Sequence, residues 1–318
     1  PHLHINISVY THSFRNTIVS SSFTLPVMAV LTLVLWVLPG MADSTLWGGL
    51  AITMLTAYLI MELNNRNALL RIRSRMMSTT FLFMMLVCPT LHCWNIDTLT
   101  VVCLIAAYFT LFASYQKYRC EGYIFHAFLF VSMGSMAFPP MLVLALAFYV
   151  SMLFQLRNFN WRTFMAGIFG LTLPYWAYAA YAIWNNQLDT AFLYLDEWFT
   201  PIMPDYSRFP PNQLATAGAI MFWALLALIH TFRTAYNDKI RTRMLSYVIV
   251  TVEFTLAVLL AVLPHCLEST IHLFIANTSL LVGHYFALGK GRFFNAWFYF
   301  TILVFAGLGV WNYLSLYL

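Results

Sequence analysis

Long runs of apolar residues, separated by short polar connections, set the pattern of this chain. A helix needs roughly 17–25 apolar residues to cross about 30 Å of hydrocarbon. Runs of about that length occupy 23–39, 46–61, 77–92, 98–114, 122–138, 140–156, 163–185, 214–232, 244–263, 270–288 and 294–316. A membrane β-barrel would instead show segments of about ten residues with alternating character. The pattern predicts an all-α fold, a polytopic bundle of about eleven transmembrane helices, with residues 23–318 as one transmembrane domain. Residues 1–22 stand apart. Leu3, Ile5, Ile7 and Val9 alternate with polar residues there, and no short apolar core with a small-residue cleavage site marks a signal peptide. This segment is expected to be cytoplasmic or to lie at the membrane interface.

Composition agrees. The chain is 61% hydrophobic and 8% charged, with a mean hydropathy of +0.75, whereas soluble domains are about 45–50% apolar. The charges add an orientation, because short loops rich in Lys and Arg stay cytoplasmic. With the N-terminus inside, fifteen of the sixteen basic residues fall on that side, in the N-terminal segment and in loops 62–76, 115–121, 157–162, 233–243 and 289–293. Arg208 is the exception. Asp43, Asp97, Asp189, Asp196, Glu197, Asp205 and Glu268 fall on the other side. The net charge of +5 is therefore a topology signal and a fringe for anionic headgroups. No Gly-rich phosphate loop or basic recognition fold points to nucleic acid, and no cofactor is expected.

The longest outer connection, 187–213, contains "YLDEWFTPIMPDYSRFPPNQ". Its prolines at 201, 204, 210 and 211 forbid a continuous helix, and long loops tend to carry sites. Asp196 or Glu197 could serve as a general base with Arg208 clamping a phosphate. Equally, Arg208 could pair with Asp205 to brace the loop. As a substrate- or partner-binding surface it offers Asp196, Glu197, Trp198, Asp205 and Arg208.

Ionisable groups within the hydrocarbon are costly unless paired or facing a cavity. Glu253 sits mid-run, and Asn277 and Ser279 of the next run lie at comparable depth, with His284 further toward the inner side. Glu253, Asn277 and His284 could form a proton relay, or a neutral Glu253 could act as interhelical glue. At the outer helix ends, His92-Cys93 and His265-Cys266 share a spelling. They could hold a soft or borderline metal, form a disulfide in an oxidising compartment, or be independent interfacial residues. Asn64, Arg66, Arg71, Arg73 and Arg75 in the first inner loop suit lipid phosphates or a docking partner.

Residues 125–176, "FHAFLFVSMGSMAFPPMLVLALAFYVSMLFQLRNFNWRTFMAGIFGLTLPYW", resemble the membrane module of GT-C glycosyltransferases. That resemblance implies a polyprenyl-phosphate donor and a catalytic acid in the first outer loop, here Asp43, with Asp196, Glu197 and Arg208 as further candidates. More of the chain, including "MELNNRNALLRIRSRM" at 61–76, resembles a family of uncharacterised bacterial polytopic inner-membrane proteins. It implies a multi-pass protein of the bacterial inner membrane. Such proteins sometimes carry a carotenoid-oxygenase label, but the histidine-bound iron on a β-propeller that this activity requires has no counterpart here.

No paired catalytic carboxylates, nucleotide motif or complete metal set is legible. The expected function is a non-enzymatic subunit or accessory factor of a cell-envelope assembly, with the bilayer and a membrane-protein partner or lipid-linked substrate as its surroundings. A GT-C-like transferase and a proton-coupled transporter centred on Glu253 are the alternatives.

Overall fold

Hydrocarbon offers no water to backbone N–H and C=O groups, so a chain this apolar must satisfy them within its own segments, as a helix does. The computed structural model describes residues 14–38, 43–185, 206–207, 209–289 and 291–317. These residues form twelve α-helices and no strands. They are α1 (Phe14–Ser20), α2 (Thr24–Val37), α3 (Ser44–Asn67), α4 (Met76–Val87), α5 (Leu99–Ala113) and α6 (Glu121–Ala137). Then come α7 (Val143–Ser151), α8 (Trp161–Trp184), α9 (Pro211–Thr234), α10 (Ile240–Val262), α11 (Leu267–Leu288) and α12 (Arg292–Tyr317). Each of the eleven apolar runs has its own helix, α2 to α12, and α1 adds about two turns in the N-terminal segment. Among the described residues, seven helices are long and apolar enough to cross a membrane. The protein is an α-helical membrane bundle.

Local chemistry sets the boundaries. The run expected over 77–92 stops at Val87, because Pro89 cannot continue a helix and opens a 3-10 turn instead. The run 140–156 is composite: Pro139 and Pro140 start a 3-10 turn, α7 follows, and residues Met152–Leu156 widen into a π-helix. Arg157 ends it in the left-handed region, at φ 52, an uncommon conformation for a residue with a Cβ. Asn160 then caps α8 with a reciprocal bond between its side chain and Thr163.

α11 is the centre of the bundle, with 89% of its apolar window buried. It packs against α4, α9 and α10, while α6 is sandwiched between α5 and α8. Close approach of α11 to α4 requires a small residue. A Cβ on Gly283 would lie 2.5 Å from the Met77 Cα and 2.8 Å from its backbone N. Gly170 plays the same part between α8 and α6, where an added Cβ would meet the Leu129 backbone N at 3.1 Å. Small residues at helix seams are how membrane helices bring their backbones together.

Hydrogen bonds tie like ends to like ends. At one end Arg71 forms an ion pair with Asp238 at 2.6 Å, and Arg241 donates a hydrogen bond to Asn67 at 3.3 Å. At that same end Arg75 donates to the Ser22 carbonyl at 3.0 Å, Asn158 to Ser114 at 2.8 Å, and Arg15 to the Gly289 carbonyl. At the opposite end Trp94 N–H donates to the Thr45 carbonyl at 2.9 Å, Ser269 to Asp97, and Tyr206 to the Ala261 carbonyl at 2.7 Å. The bundle thus has a basic end and an acidic end, divided as the alternation of loops along the sequence divides them.

Replacing Gly283 by Ala is expected to cost about 1–3 kcal/mol through overpacking against α4. Gly218→Ala in α9, where an added Cβ meets nothing within 4 Å, is expected to be neutral or to stabilise by up to about 1 kcal/mol. Thermal unfolding of the two variants in the same detergent checks this; equal melting temperatures would contradict the close α4–α11 seam.

Candidate functional site

Glu253 lies in the middle of α10 on the face turned to α11. Asn277 on α11 donates through Nδ2 to Glu253 Oε2 at 2.6 Å and to the Ile249 carbonyl at 3.0 Å. The Thr278 hydroxyl donates to Glu253 Oε1 at 2.6 Å, and Tyr108 of α5 donates to Asn277 Oδ1 at 2.5 Å. All four side chains are buried. Both amide hydrogens of Asn277, its oxygen and both carboxyl oxygens of Glu253 are therefore engaged, and three helices are joined through one point. Ser279 turns away and donates to the Ala276 carbonyl of its own helix.

His284 is not part of this network. Seven residues beyond Asn277 is about two turns, which carries it to the basic end. There its Nε2 stands 3.7 Å from Asp238, and its ring centroid lies 6.1 Å from that of His230. The expected line from Glu253 through Asn277 to His284 is thus two separate groups. Thr278 and Tyr108, which complete the first, were not among the sequence candidates. Thr278 adjoins Asn277 and Tyr108 sits mid-run in α5, so depth alone could have raised both.

The acidic end holds the other candidates. Asp43 is the N-cap of α3: its Oδ1 accepts from the Thr45 amide at 2.8 Å and the Thr45 hydroxyl at 2.7 Å. Those hydrogen bonds from Thr45 hold its exposed carboxyl below the usual aspartate value. His92 is buried, stacked on Trp36 with centroids 3.6 Å apart, and bonded through Nε2 to the Met85 carbonyl at 3.2 Å. Cys93 is exposed and Cys266 buried, both as free thiols. The side chain of His265 lies outside the described residues. Among the described residues no three His, Cys, Asp or Glu side chains gather to hold a metal. Asp196, Glu197, Trp198, Asp205 and Arg208 also lie outside the described residues.

A cavity of about 320 Å³ opens at this end, between the close of α4, the starts of α9 and α11, and the last turns of α12. Its size is at the small end of the roughly 300–1,000 Å³ typical of ligand sites. Asn212 donates to Asn312 at 3.1 Å and to Ser315 at 2.7 Å, while Asn312 donates to Thr216 at 2.9 Å and to the Val87 carbonyl at 2.7 Å. These amide hydrogens are spent on the protein. The Asn212 side-chain oxygen and the Glu268 carboxylate accept no bond among the described residues, so the cavity offers acceptors and one negative charge. Sequence reading missed it because Asn212 and Asn312 are a hundred residues apart. The only local sign was polar spacing, Asn212 with Thr216 and Asn312 with Ser315.

The fold and these polar clusters define a polytopic α-helical membrane protein. Comparison with family models, curated proteins and solved structures finds no match to this chain.

Glu253→Gln keeps the shape and most of the hydrogen bonds, since the Thr278 hydroxyl can rotate to accept from the new amide. It is expected to unfold within about 1 kcal/mol of the parent. Glu253→Ala strands donors on Asn277 and Thr278 and is expected to cost about 1–3 kcal/mol. Denaturant unfolding in micelles separates the two; an equally damaging Gln would mean that the carboxyl is needed for its charge.

Proposed function

We propose that this protein is a non-enzymatic subunit or accessory factor of a cell-envelope assembly in the bacterial inner membrane, with a cytoplasmic N-terminus. On this reading it receives a lipid-linked or translocated substrate at the acidic end. The observation that carries the reading is the cavity lined by Asn212, Gln213, Thr216, Glu268, Asn312 and Ser315, the place where polar acceptors face an opening. The orientation rests on the gathering of arginines at the opposite end, which suits the cytoplasmic face.

The alternatives ask more of their residues. A proton-coupled transporter centred on Glu253 needs a carboxyl that can exchange partners, and both oxygens of Glu253 are engaged by Asn277 and Thr278. A transferase drawing on Asp43 would have to release it from capping α3. In both cases the side chain already has a structural task.

The test is native purification followed by mass spectrometry of what accompanies the protein. Gln213→Trp fills the cavity without touching the Asn212–Asn312 bonds, and Glu268→Gln removes its charge. Each is expected to leave the melting temperature unchanged and to reduce the retained substrate or partner by about tenfold, equivalent to about 1.4 kcal/mol. Undiminished retention in both variants would remove the cavity from the function.

A further inference from the structure

A second opening lies at the basic end and has the opposite character. It is a groove of about 470 Å³ with α2 and α12 as its sides and α4 and α11 as its floor, and α1 lies across its mouth. Phe83, Phe286, Phe298 and Phe305 face it. The hydroxyls of Thr79, Thr80 and Thr301 donate to the Arg75, Met76 and Trp297 carbonyls of their own helices. These threonines therefore bring little polarity to the wall. Along α4 the lining runs from Met76 to Met84, a rise of about 12 Å. One leaflet's share of the roughly 30 Å hydrocarbon core is about 15 Å.

The mouth is polar and cationic. Thr17, Ser21 and Thr24 line it. Arg75 immediately precedes Met76 and donates to the carbonyl of Ser22, between the lining residues Ser21 and Phe23, at 3.0 Å. Met76 on one side of this bond and Ser21 and Phe23 on the other thus place the partly exposed Arg75 beside the mouth. Arg73, two residues earlier, is exposed and has no hydrogen bond or ion pair among the described residues. Glu62 is paired with Arg66, and Asp238 with Arg71, so these two acids of the basic end are already occupied.

We propose that this groove is a site for one anionic phospholipid, with an acyl chain between α2 and α12 and the phosphate on Arg75. Depth matches a single leaflet, the walls match an acyl chain, and the charge at the mouth matches the headgroup. Arginine suits the phosphate because its guanidinium can present two parallel donors. The site is independent of the cavity at the acidic end, and it requires only that the bundle be in a membrane.

The full chain, exchanged into micelles holding phosphatidylglycerol and phosphatidylcholine with identical chains, can be read by native mass spectrometry. Phosphatidylglycerol should be retained about fivefold over phosphatidylcholine, the factor for about 1 kcal/mol per interfacial arginine. Arg75→Gln should bring the ratio near one, and Arg75→Lys should keep part of it. Val27→Trp adds bulk on the exposed lipid-facing wall and should lower retention of both lipids. Glycerol phosphate without acyl chains should not compete. An unchanged ratio in Arg75→Gln would overturn the proposal, as would undiminished lipid in Val27→Trp or competition by glycerol phosphate.

Discussion

Inside hydrocarbon a polar group has no water to fall back on, and the arrangement of this protein follows from that constraint. Its simplest expression is the repeated bond from a threonine hydroxyl to the carbonyl four residues earlier. Thr32, Thr56, Thr80, Thr231 and Thr251 donate to Met28, Ile52, Met76, Ala227 and Tyr247. Each hydroxyl proton is satisfied within its own helix, and of these five hydroxyls Thr251 also accepts from Gln155 at 3.1 Å. Where a group is too polar for that solution, helices must meet around it. Glu253 draws Asn277 and Thr278 of α11, and Asn277 in turn draws Tyr108 of α5. The most buried of the seven long spans therefore carries the group that joins three helices.

The same constraint explains the two ends. Charges that cannot stay in the hydrocarbon collect where the helices stop, and there they fasten one connection to another. Arg71 with Asp238 joins the connection after α3 to that after α9, and Arg15 fastens α1 beneath the end of α11. At the acidic end the joining is done mostly by neutral groups, such as Asn212 with Asn312 and Trp94 with Thr45. An acidic-end cavity bordered by Glu268 and a basic-end groove rimmed by Arg75 are then two places where this sorting leaves bonding capacity unspent. The proposed envelope function uses the first, and the proposed lipid site the second.

Much of this fold was legible because its signal is local. An apolar run of sufficient length can hardly be anything but a helix, and every run from 23–39 to 294–316 has one. The break at Pro89 was not read in advance: the run was expected to continue over 77–92, and the proline instead ends α4 at Val87. The left-handed Arg157 and the π-turn before it had no signature, since nothing in "MLFQLRN" demands them. Pairings across sequence were readable only where two successive helices share a depth. Asn277 opposite Glu253 met that condition. His284, two turns lower, did not, and the cavity built from Asn212, Asn312 and Glu268 needed a tertiary arrangement that no single stretch encodes.

The central claim is that one sorting of charge sets both the packing of the ends and the way the bundle sits in its membrane. Single cysteines in a background lacking the five native ones test it most directly, read with a membrane-impermeant thiol reagent. Position 93 keeps its native, exposed Cys93, and the inner probes replace Arg73 and Arg241. In intact spheroplasts Cys93 should label, whereas positions 73 and 241 should label only after the membrane is opened. Labelling of 73 and 93 from the same face would contradict the account.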